Sequence, residues 1–119
     1  MAALPAAAQI DLQETQKYVL LRVTTAGDAT GKLYLRGLAA AEYHADVMGA
    51  FEASLLAASG PCASITCLGG GRVTFTAPAT YRVHGYSVAF GRADHAASAA
   101  MLLPALPAGC TVSHDDEGY

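Results

Sequence analysis

Two alternating apolar stretches separated by a glycine-bearing turn constrain this chain most. From Lys17 to Val23, the side chains of Val19, Leu21 and Val23 share one face, while Tyr18, Leu20 and Arg22 share the other. This is the period of two that defines a strand. Thr24 to Gly31, with Gly27, Asp28 and Gly31, reads as a turn. Lys32 to Leu38 then repeats the alternation, setting Leu33 and Leu35 against Tyr34 and Arg36. A chain with such a pair is committed to a sheet, and its remaining segments must cover that sheet.

At His44 the period changes. Val47, Phe51 and Leu55 fall four apart with Met48 beside them, and Ser59-Gly60-Pro61 supplies a stop. That spacing predicts an amphipathic helix of roughly 16 residues and 24 Å. Ile65–Leu68, Val73–Thr76, Tyr81–Val83 and Tyr86–Phe90 read as short strands, separated by Gly69-Gly70-Gly71 and by a turn at Ala77-Pro78-Ala79. Ala93 to Leu103 is rich in helix formers and stops before Pro104, and a last short strand is expected around Thr111–Ser113.

The expected architecture is α+β: a mixed sheet of about six strands with two main helices packed on it, in a single domain. Residues 1–10 are expected to be a flexible leader and residues 11–119 the domain, and 119 residues leave no material for a second core. The acidic end, Asp115 to Tyr119, reads as a frayed tail unless its terminal aromatic docks back on the body. The hydrophobic share of 53% is inflated by alanine. The core is assigned to Val19, Leu21, Val23, Leu33, Leu35, Val47, Phe51, Leu55, Ile65, Val73, Phe75, Val88, Leu102 and Leu106.

Charge and cysteine usage exclude several functions. Every apolar run is cut by charged residues, Gly or Pro, so no segment spans a bilayer. The alanine-rich start lacks the pattern of an export signal. Cys62, Cys67 and Cys110 cannot all pair within one chain, which suits a reducing compartment and a cytoplasmic protein. Their spacing does not fit a zinc hairpin, and no cluster of Asp, Glu and His has metal-ligand spacing, so neither metal nor cofactor is expected. A net charge of −3 argues against nucleic acid and anionic membranes as partners. An anionic substrate must therefore be held by a few of the seven basic residues or by backbone amides.

His44 is the residue best placed for chemistry. It stands where a strand-to-helix connection ends, and a helix N-terminus presents unpaired N–H groups and a dipole to an anion. An imidazole there suits a general base or a nucleophile near neutral pH. The alternative is that it merely occupies the first turn. Cys67-Leu68-Gly69-Gly70-Gly71-Arg72 invites comparison with the loop of cysteine phosphatases, but it is one residue short, and its glycines also fit a sharp turn or a bulge. His95 opens the second helix and reads as a satisfied structural histidine or an accessory to the site. His84 and His114 lie in strand-like stretches, and Asp46 and Glu52 read as ordinary helix-face charges.

Several segments, taken together, resemble the small phosphohistidine phosphatases, also known as the Janus family. They are Lys17–Val23, Arg36-Gly37, Ala41-Glu42-Tyr43-His44-Ala45-Asp46, Cys67–Arg72, Gly85–Gly91, Asp94-His95-Ala96 and Gly118-Tyr119, in the family's order. The resemblance implies a six-strand mixed sheet with two helices. It implies that His44 is catalytic, and that the backbone at His44, Ala45 and Ala89 with the Ser87 hydroxyl cradles phosphate. By the same resemblance Lys17, Arg36 and Arg72 are the cations around it, with Tyr43 and His95 as accessory candidates. Ala40 stands where the family has tryptophan, and the loop from Gly60 to Cys67 is spaced differently, with Pro61 inserted. The implied activity is metal-independent hydrolysis of the P–N bond of phosphohistidine in proteins, by a cytoplasmic monomer. A non-catalytic phosphate-binding module and a Cys67-dependent phosphatase are the alternatives.

Overall fold

The computed structural model describes residues 6–60 and 62–117. The leader's first residues, Pro61 and the Gly118-Tyr119 motif lie outside them. A six-stranded sheet runs β1 (Ala8–Gln9), β3 (Asp28–Leu38), β2 (Gln16–Thr25), β4 (Ser64–Thr76), β5 (Thr80–His84) and β6 (Thr111–His114) in spatial order. Helix α1 (His44–Ser59) packs on one face and α2 (His95–Leu102) on the other. The α+β expectation holds.

Strand β2 sits at the centre and explains the arrangement. Both its faces are apolar, and Tyr18, Val19, Leu20 and Leu21 are all buried. Val19, Leu21 and Val23 meet Val47 and Leu55 of α1, while Tyr18 and Leu20 join Val73, Val83 and Leu102 on the α2 side. Strands β3 and β4 both pair antiparallel with β2, so the chain leaves β3, crosses β2 through α1 and returns parallel to β3. That crossover places the start of α1 over β2 and β4, where the candidate site lies.

The glycine run is not a break between two strands, as the sequence suggested, but part of one continuous β4. Leu20 pairs with Gly69 and Leu21 with Cys67, which makes Leu68 the extra residue of a β-bulge. Gly69 has φ +147°, and a Cβ there would lie 2.7 Å from the Ala93 nitrogen. The bulge inverts the side-chain alternation. Ile65 and Cys67 face α1 before it, whereas Gly70 and Arg72 do so after it, opposite Val19 and Lys17.

Other expectations need correction. Ala8 and Gln9 of the expected leader form β1, paired with Leu35 and Arg36, and Ala8 is buried. Tyr86–Phe90 is a loop closed by a bridge between Ser87 and Gly91, because mutual Ser87–Gly91 backbone bonds turn the chain back on itself. Val88 in that loop is exposed rather than in the core. The acidic end is tethered as far as Glu117: Asp115 donates its N–H to the Val83 carbonyl and accepts two bonds from Arg82.

Candidate active site

His44 is the first residue of α1, and the preceding Tyr43 is extended, with φ −126°. The Tyr43 N–H donates to the Asp46 carboxylate at 3.1 Å, so Asp46 caps the helix rather than simply decorating its face. The Tyr43 carbonyl accepts from the amides of Asp46 and Val47. The N–H groups of His44 and Ala45 have no partner among the described residues, as the first turn of a helix requires. They point a positive dipole end at whatever occupies the space in front.

The His44 ring lies over β4. Its Nε2 is 2.8 Å from the Gly71 carbonyl oxygen. A carbonyl only accepts, so Nε2 carries a proton and the neutral ring keeps its lone pair on Nδ1. Burial depresses the His44 pKa below its ordinary value of 6.5, against the pull of the Gly71 carbonyl, and the nearby Lys17 and Arg72 cations depress it further. The ring is therefore neutral at pH 7, with Nδ1 available to accept a proton or to attack. It fits because residue 70 has no side chain: a Cβ there would stand 2.7 Å from His44 Cδ2 and 3.2 Å from Ser87 Cβ.

A cavity of about 460 Å³ opens beside this ring, lined by Lys17, Glu42, Tyr43, His44, Ala45, Ser87, Val88 and Ala89. Ser87 is buried, and its Oγ accepts the Phe90 N–H at 3.0 Å, which leaves the hydroxyl proton for an occupant. Lys17 and Arg72 are paired across β2 and β4 on the face that carries α1. Tyr43, Ala45 and Ala89, singled out with His44, Lys17 and Ser87 from the sequence, thus come together around one cavity, with Arg72 close enough to act on His44.

Arg36 and His95 are not brought there. Arg36 shares the α1 face but pairs with Val19, one strand beyond the site. It is 2% exposed, donates from Nη1 to the Leu35 and Ala7 carbonyls, and lies over the Tyr34 and Phe51 rings at 5.3 and 5.8 Å. His95 is on the opposite face. Its Nδ1 is 2.6 Å from the Tyr18 hydroxyl, and its Nε2 donates to the Gly85 carbonyl at 2.7 Å. It backs the site all the same, since a Cβ on Gly71 would meet His95 Cε1 at 2.5 Å. Cys67 is turned into the α1-side core, its thiol donates to the Gly69 carbonyl, and burial raises its pKa, the reverse of an activated thiolate. Val88 and Glu42 line the cavity without having been assigned a role. Nothing in the alternation of Tyr86–Phe90 distinguishes an exposed valine from a core one.

Fold and cavity together define a small α+β protein in which a helix N-terminus, headed by a neutral histidine with Lys17 and Arg72 nearby, opens onto one cavity. The chain belongs to the Janus/Ocnus family, whose sequence profile matches residues 2–108. It is 37% identical to the sex-regulated protein janus-A of Drosophila pseudoobscura pseudoobscura over 115 residues, covering 92% of this chain and 74% of that protein. Against janus-A of Drosophila melanogaster the identity is 38% over 104 residues, covering 87% and 73%. A 14 kDa phosphohistidine phosphatase of Sus scrofa is 35% identical over 118 residues, covering 92% of this chain and 89% of its own. Among the described residues no helix is long and apolar enough to cross a membrane.

Proposed function

We propose that this chain hydrolyses the P–N bond of phosphohistidine in proteins, with His44 at the reacting centre and no metal. The observation that carries the proposal is the 2.8 Å bond from His44 Nε2 to the Gly71 carbonyl, which leaves the Nδ1 lone pair free on a ring that lines a cavity with Lys17 and feels the charge of Arg72. The similarity to a phosphohistidine phosphatase supports it. The setting proposed is a cytoplasmic monomer acting on phosphorylated proteins.

In the reaction, water adds to phosphorus as the P–N bond breaks, the leaving imidazole nitrogen takes a proton, and inorganic phosphate is released. Nδ1 of His44 either removes the proton from water or attacks phosphorus itself, forming a transient phosphohistidine that water then cleaves. The phosphoryl oxygens are held by the amides of His44 and Ala45, the Ser87 hydroxyl and the backbone at Ala89. Lys17 and Arg72 offset the charge that spreads over those oxygens in the transition state. Arg36 is given no part in this cradle.

The test is phosphate release from a phosphohistidine peptide by the wild type and by His44→Ala. His44→Ala should keep its circular dichroism spectrum and fall below about 1% of wild-type turnover, since a positioned acid–base group contributes ~10²–10⁴-fold. Retained activity in His44→Ala, or binding by the wild type without release, refutes the proposal. Acid-labile radiolabel trapped on the enzyme separates the nucleophile from the general base.

A further inference from the structure

The cavity holds more apolar surface than a phosphate needs. Tyr43 is 63% exposed and Val88 is 77% exposed. Among the described residues five large hydrophobic side chains are exposed, and these two border the same cavity. They reach it from different elements, Tyr43 from the cap of α1 and Val88 from the Ser87–Gly91 loop. The cap uses the Tyr43 backbone, and the loop is closed by Ser87–Gly91 backbone bonds and the Ser87 hydroxyl. Two exposed apolar groups that converge on one largely apolar cavity from separate elements are placed to contact its occupant.

The chemistry of the cavity is also divided. Among the lining residues, His44, Ala45, Ser87 and Lys17 offer donors and positive charge, while Tyr43, Val88 and Ala89 offer a ring and methyl groups. Glu42 lines the same rim with the opposite charge to Lys17. A free phosphate satisfies only the first set. A phosphorylated imidazole satisfies both: its phosphoryl group meets the cations, its flat ring meets Tyr43 and Val88, and the ring, once protonated for departure, is drawn to Glu42.

We infer that Tyr43 and Val88 are specificity-determining residues that grip the imidazole ring of the phosphorylated side chain. The inference rests on the phosphohistidine reading above. An aliphatic phosphoramidate such as phospholysine reaches the same phosphoryl cradle but brings a flexible methylene stem in place of a flat ring to lie against Tyr43.

The test is binding, measured by fluorescence polarisation. The probe is a labelled peptide carrying a phosphoryl-triazole analogue of phosphohistidine, competed by inorganic phosphate and by the same peptide carrying an aliphatic phosphonate in place of the ring. For Tyr43→Ala the triazole peptide should weaken about tenfold more than phosphate does, the size of one good aromatic contact. Val88→Ser should change affinity in the same direction, and Tyr43→Phe should restore it. The double variant should lose the preference for the ring over the aliphatic probe. An equal loss for phosphate and peptide, or an unchanged peptide affinity, overturns the inference. Because every arm reads binding, a wild type that binds the probes without turnover refutes the phosphatase reading alone.

Discussion

Replacing Gly70 by alanine tests the geometry of the site with a single methyl group. The added Cβ would stand 2.7 Å from His44 Cδ2 and 2.7 Å from the Tyr18 carbonyl oxygen, where ordinary contact begins at 3.4 Å. Because Tyr18 is buried in the central strand, β4 must shift at residue 70 to clear its carbonyl and the imidazole must give way to the methyl group, so that ring and strand are displaced relative to each other by about 0.7 Å or more. A displacement near 1 Å costs ~10²-fold in rate, and overpacking a tight site costs about 1–3 kcal/mol of stability. Gly70→Ala should therefore remain folded, lose about 1–3 kcal/mol in urea unfolding, and hydrolyse a phosphohistidine peptide about 100-fold more slowly. Gly49→Ala is the control. Gly49 lies within α1 with open space around its Cα, so alanine there should stabilise by about 0.5–1 kcal/mol and leave turnover intact. A Gly70→Ala protein with wild-type kcat would show that the His44 ring is not held where the geometry requires it.

With the His44 pKa depressed, kcat/KM should be flat above the ordinary value of 6.5 and fall on the acid side as the ring gains its proton. Lys17→Ala removes one of the depressing cations and should move that limb to higher pH; a limb that stays fixed or moves lower contradicts the assignment. Burial also depresses His84, so both histidines contribute stability that is fully present above 6.5 and lost as pH falls. A melting temperature that does not fall from pH 8 to pH 5.5 in the wild type relative to a His84→Asn variant argues against the His84 share. Cys67→Ser should keep kcat within a few-fold and resist inactivation by thiol alkylation, because its thiol is a core donor of raised pKa; a dead variant would revive the cysteine mechanism. Tyr18→Phe strips a hydroxyl from His95 and Ser98 and should cost about 1–3 kcal/mol in denaturant unfolding, with a loss under about 0.5 kcal/mol refuting the network's role.

The local pattern of the chain carried much of the fold because short-range physics sets it. The alternation from Lys17 to Val23 gave the central strand, and the four-residue spacing of Val47, Phe51 and Leu55 gave a helix whose observed bounds are His44–Ser59. The position of His44 at that helix start was likewise readable from the change of period.

Residues far apart in sequence meet by the path of the sheet, and no local period encodes that path. The glycine run looked like a break, since period counting cannot see that one extra residue, Leu68, is absorbed as a bulge against β2. That bulge alone turns Gly70 and Arg72 toward α1, opens room for the imidazole and stations Arg72 beside Lys17. Arg36 matched the cations of the site by motif, yet its strand pairing sets it beyond Val19 and among aromatic rings. Val88 reads as core by hydrophobicity, but the Ser87–Gly91 closure turns it to solvent at the cavity rim. The sequence by itself determined which segments are strands and helices and which histidine begins a helix, because those depend on neighbours within a few residues. Which cations face that histidine, which nitrogen it keeps basic and which apolar groups edge the cavity were decided only by tertiary structure, since each depends on strand register across the sheet.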